Sequence, residues 1–94
     1  MFRILCLAGL LLLPSTLQAA PQVCADHSEI VRQLRDRYGE ERLSVGLTTA
    51  NHMIELFASS ETGTWTITLT APGGPTCLVA AGSDFRQLPQ GVTS

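Results

Sequence analysis

The side chains of this chain that could do chemistry are few. His27 and His52 are the only histidines, and Cys6, Cys24 and Cys77 the only cysteines. A zinc centre draws three or four ligands from Cys, His and carboxylates. Two histidines far apart in sequence do not supply such a set once Cys24 and Cys77 are committed to each other. Nucleophilic catalysis needs a hydroxyl or thiol beside a base that a third group orients. The chain has many Ser and Thr hydroxyls but no Gly-x-Ser-x-Gly elbow. The carboxylate pair Glu40-Glu41 reads as solvated. Glu55, flanked by Ile54 and Leu56, is the one acid that a strand could place in an apolar setting, where its acid–base behaviour would change. Pro72-Gly73-Gly74-Pro75 lacks the lysine and following helix of a phosphate loop, so it reads as a turn. No catalytic constellation, metal site or cofactor site is expected.

The segment that precedes these residues decides their redox state. Met1-Phe2-Arg3 gives a positive start, Ile4 to Leu13 is apolar throughout, and Pro14 to Ala20 ends the run in small and polar residues. This is the layout of a secretory signal peptide, with cleavage expected after Ala19 or Ala20. The apolar run is about half of the roughly 20 residues that a spanning helix needs, so no stable membrane anchor is expected. Export implies a periplasmic or secreted protein. Cys6 leaves with the signal, and Cys24 and Cys77 remain as an even pair that reads as one disulfide. Loss of Arg3 leaves five arginines against eight acids, and the chain contains no lysine. That balance lacks the basic patch that nucleic-acid binding requires.

The elements that must position these groups follow from periodicity. Residues 20–86 read as a single α+β domain, and 87–94 as a flexible tail. Asp26 is a helix N-cap with Glu29 three residues on, a capping-box pattern. Ile30, Val31, Leu34 and Tyr38 recur at helical spacing to Gly39, a C-terminal stop. From Arg42 the period becomes two. Four strands are predicted, covering 42–48, 53–58, 64–71 and 76–81, separated by turn-forming clusters. One helix on a four-stranded antiparallel meander is the expected architecture, with the disulfide fastening the helix start to the last strand.

Alternation divides the sheet into two faces. The face with Leu43, Val45, Leu47, Ile54, Leu56, Trp65, Ile67, Leu69, Cys77 and Val79 is the more apolar, so the helix is expected to cover it. The other face, carrying Met53, Phe57, Leu78 and Ala80 beside a row of threonines, is expected to stay open. Those four residues are the candidate interface for an envelope protein or a second copy. Strand addition at an edge is a further route.

An early Cys precedes a helix ending in Tyr38-Gly39. Then come Ile54-Glu55-Leu56-Phe57-Ala58-Ser59, Gly63-Thr64-Trp65-Thr66, Pro72-Gly73-Gly74 and Cys77-Leu78-Val79-Ala80-Ala81-Gly82. In this order over residues 24 to 85 the chain resembles a group of small exported alphaproteobacterial proteins of unknown function. The resemblance implies export and carries over no functional residue. The expected role is a non-catalytic interaction or accessory module in the periplasm. The alternative is a small-ligand binder, with His27, His52 and Glu55 converging on a pocket, or an inhibitor of an envelope enzyme.

Overall fold

The computed structural model describes residues 22–89. The signal-peptide reading of residues 1–19 and the end of the tail lie outside that range. The described elements are β1 (Cys24–Ala25), α1 (His27–Tyr38), β2 (Glu41–Leu47), β3 (Met53–Ala58), β4 (Trp65–Thr70) and β5 (Thr76–Gly82). The strands form one five-stranded antiparallel sheet in the order β1-β5-β4-β3-β2. One difference from the four-stranded expectation matters. A two-residue strand precedes the helix, and it adds to the far edge of the sheet by pairing Cys24 with Cys77 and Ala25 with Thr76. The Cys24–Cys77 disulfide joins these paired positions.

Helix α1 starts and stops where its sequence signals say. Asp26 is the N-cap, in extended conformation, and its carbonyl accepts hydrogen bonds from the Glu29 and Ile30 amides. The expected capping box does not form, because the Asp26 side chain makes no cap bond. Glu29 instead accepts hydrogen bonds from Arg32 at 2.6 Å and Gln33 at 2.8 Å, one turn along the same helix face. The hydrogen bond from Arg32, then that from Gln33, holds the Glu29 carboxyl below its ordinary range. At the other end Gly39 adopts φ 66°, and its amide donates to Arg35 while that of Glu40 reaches Leu34. A residue with a Cβ is strained in that left-handed conformation, so glycine makes the stop.

The turns are closed by hydroxyls. Thr48 Oγ1 accepts from the Ala50 and His52 amides between β2 and β3. Ser59, buried, accepts from Glu61 and Thr62 between β3 and β4. Thr70 and Thr76 bond hydroxyl to hydroxyl at 2.7 Å across the mouth of the β4–β5 turn. Such side-chain bonds replace ladder bonds that the chain forfeits where it reverses.

The helix lies on the face opposite to the one expected. Its Ile30 and Leu34 pack with Phe57, and Ala25, Val31 and Leu78 pack against that cluster. Phe57 is 1% exposed. The candidate interface residues are therefore corrected: Phe57 and Leu78 belong to the helix–sheet core, and Met53 is half-buried on that same face. Ala80 is exposed and lies on the other face, opposite Ile67.

Two causes account for the reversal. Four successive antiparallel pairings make β1 and β2 parallel at opposite edges, so α1 is a crossover between parallel strands. The face a crossover takes is governed by chain handedness, to which counting apolar residues is blind. Register shifts at Leu43 and Val79 then exchange faces within β2 and β5. Val45 pairs with Glu55 and Leu47 with Met53, which puts both on the helix side, where they remain exposed on the outer strand.

Candidate functional site

The face left open is the apolar one. Register places Ile54 beside Leu69 and Leu69 beside Cys77, and in the next row Leu56 beside Ile67 and Ile67 beside Ala80. Ala58, Trp65 and Gly82 form a third row. Gly82 is small because the Trp65 indole lies over it: a Cβ there would stand 2.8 Å from the ring. The indole N–H donates to the Ser83 carbonyl at 3.1 Å, which holds the ring flat across the end of the sheet. Ile54 and Val79 are exposed, and Leu56, Ile67 and Leu69 are half-buried by each other. The first two rows carry no charged residue, Glu41 of β2 pairs with Ala58 at the end of the third, and no helix or strand among the described residues packs over them.

The covered face is polar by comparison. Glu55, Thr68 and Thr76 are fully buried there and Thr66 nearly so. Glu55 Oε1 sits 2.8 Å from His27 Nε2, and its Oε2 accepts from Arg42 Nη1 at 2.8 Å. The three residues come from β3, the first turn of α1 and the outer strand β2. A buried carboxylate is costly unless both its oxygens are paired, and here both are. The arrangement ties the helix start and the edge strand to the sheet centre.

A histidine held by a buried carboxylate also makes up two of the three members of a catalytic triad. Three further observations set what this pair can do. Arg42 occupies the second Glu55 oxygen, no nucleophile among the described residues hydrogen-bonds to His27, and neither described cavity is lined by His27, Glu55 or Arg42. His52 stays in the β2–β3 turn, where its amide and carbonyl bond to Thr48. The structure thus brings together two of the three residues expected to converge and adds Arg42, which sequence reasoning left aside. No sequence signal pointed to Arg42: an unshifted β2–β3 hairpin sets it opposite Ala58, and only the register shift at Leu43 brings it opposite Phe57, on the Glu55 side of β3.

Two concavities complete the inventory. A groove of about 480 Å³ runs between Leu43, Ala58 and Phe85, with Glu41 and Glu61 at its rim. A smaller cavity of about 190 Å³ lies at the end of α1, bounded by Leu34, Tyr38, Leu78 and Glu40. Glu40 is buried, and its Oε1 has no hydrogen-bond partner among the described residues. The solvated reading of this carboxylate is corrected: Glu40 follows Gly39 in the helix-ending turn, and its amide bond to Leu34 draws it against the helix. Among the described residues no group of three or more His, Cys, Asp or Glu is placed to hold a metal, and no helix is long and apolar enough to cross a membrane.

These features define a small α+β protein closed by one disulfide, with a covered polar face and an open apolar face on the same sheet. No family model, curated protein or solved structure matches the chain.

Proposed function

We propose that this is an exported, non-catalytic interaction module that docks through the open face of its sheet. The observation that supports the reading is the apolar surface continued across β3, β4 and β5 by Ile54, Leu56, Ile67, Leu69 and Ala80. Soluble monomers rarely expose contiguous apolar patches of more than a few hundred Å² unless the patch has a partner. With charge confined to Glu41 at one end of the face, the partner it fits also presents a largely uncharged, flat apolar surface. The disulfide suits an oxidising compartment, in keeping with an exported chain.

The test is native mass spectrometry of protein released gently from the cell envelope, comparing the natural chain with Ile67→Asp. The natural chain should carry a bound protein, and the variant should have the mass of the bare, disulfide-closed monomer. Equal complexes from both chains would sink the docking face.

A second reading rests on Glu40. A buried carboxylate oxygen without a partner beside an apolar cavity is what a small ammonium compound with a short apolar group would fill. On that reading methylammonium or ethylammonium raises the melting temperature of the natural chain and leaves Glu40→Gln unmoved.

A further inference from the structure

We infer that the cavity at the C-terminal end of α1 binds a primary ammonium compound whose apolar group is the size of a benzene ring, and that it rejects the matching amino acid. The inference rests on the Glu40 reading above and deepens it by fixing the size and charge of the ligand. Its first support is the unpaired acid. Glu40 is 3% exposed and lines the cavity, and its Oε1 has no hydrogen-bond partner among the described residues. A buried carboxylate oxygen left unpaired is costly, and a charged donor offsets that cost best. Rotation about the Cγ–Cδ bond exchanges the two oxygens, so a donor held in the cavity can take the unpaired one.

The second support is electrostatic. None of the described residues that line the cavity is basic, and Leu34 and Tyr38, from the last turns of α1, form part of its wall. Arg35 and Arg37 of the last turn are exposed and lie outside that wall. The C-terminal end of a helix carries a partial negative charge, so it acts on a ligand with the same sign as Glu40. A lone ammonium answers both. An α-carboxylate one carbon from that ammonium would meet both at close range and be repelled.

The third support is size. The cavity holds about 190 Å³, and a dry apolar cavity of about 150 Å³ admits benzene. In its wall Leu34 is buried and Leu78 half-buried, while Tyr38 and Ala81 are exposed. A phenyl ring can therefore enter from solvent past Tyr38 and Ala81 and rest on Leu34 and Leu78 without the sheet opening.

The test is calorimetric titration of the full chain, exported by a bacterial host, with benzylammonium, methylammonium, benzyl alcohol and phenylglycine. Benzylammonium should bind about tenfold more tightly than methylammonium, because its ring buries apolar surface. Benzyl alcohol keeps the ring without the charge and should bind about tenfold more weakly than benzylammonium. Phenylglycine adds only a carboxylate to benzylammonium and should give no measurable heat. In Glu40→Gln, an isosteric change checked for folding by thermal melting, benzylammonium and benzyl alcohol should bind within about twofold of each other. The probes compared on the natural chain decide the matter even if that variant fails to fold. Equal affinity for the two ammonium probes, or phenylglycine binding as tightly as benzylammonium, would overturn the inference while leaving Glu40 as an ammonium site. Benzyl alcohol binding as tightly as benzylammonium, an undiminished preference for the charged probe in Glu40→Gln, or no heat from any probe would overturn both the inference and the Glu40 reading beneath it.

Discussion

The two faces of this sheet are built from alternate residues of the same strands, yet they solve opposite problems. The covered face carries Glu55, Thr66, Thr68 and Thr76 under a helix that contributes little more than Ile30 and Leu34. Its order comes from specific polar contacts: Glu55 shared between His27 and Arg42, and Thr70 against Thr76. The open face carries the aliphatic rows and has no specific contact apart from the Trp65 indole and the disulfide. Burial therefore does not follow hydrophobicity in this molecule. Polar groups hold one chain together on the covered side, while the aliphatic rows of β3 and β4 stay exposed or half-buried.

Substitutions on each face can break or sharpen that contrast. The largest effect is expected from opening the ring. Cys24→Ser with Cys77→Ser frees a loop with a sequence separation of 53, and the chain-entropy account puts the loss at about 4 kcal/mol. For a domain of this size urea titration should then find little folded protein at 37 °C. Phe57→Ala, on the covered face, should cost about 3 to 4 kcal/mol in the same titration, because it empties the centre of a small cluster.

Arg42→Ala should cost about 2 to 3 kcal/mol, less than a fully buried pair, since the Arg42 side chain is half in water while Glu55 is not. Arg42→Lys should recover part of it. On the open face, Ile67→Asp should change the stability of the dilute monomer by less than about 1 kcal/mol. A loss there as large as that of Phe57→Ala would abolish the distinction between the faces.

The smallest effect belongs to the helix surface. The Glu29 carboxyl is lowered from its ordinary value of 4.5 by Arg32 and Gln33. Its contribution is present above the unfolded value and is lost as pH falls through the lower folded one. Because the pair is in solvent, thermal melts of Glu29→Gln in moderate salt should coincide with the natural chain at neutral pH.

Much of the local structure was legible in the sequence. The helix from His27 to Tyr38, the stop at Gly39 and the strand from Met53 to Ala58 each follow from a nearby signal, and the Cys24–Cys77 pairing follows from the cysteine count. What was not legible is set by contacts distant in sequence. β1 has two residues and so no periodicity, yet it makes α1 a crossover and thereby selects the face. The Leu43 and Val79 shifts each move one residue out of register, which is enough to send every later side chain of the strand to the other side. Glu55 between two aliphatic residues looks like an outward acid. Only the meeting of β2, β3 and α1 shows that it is an interior anchor.

The disulfide also fixes how the molecule would bear tension. The bond joins the first strand directly to the edge of the last, and the helix and the three strands β2 to β4 all lie inside the ring it closes. A pull between the two ends of the chain would travel from Val23 through the two sulfurs to Leu78. It would bypass the β2–β3 hairpin, whereas residues 78–82, which pair with β4 outside the ring, would bear the load until they peeled from it. While the sulfurs stay joined, the helix and strands β2 and β3 are shielded from whatever is attached at either terminus.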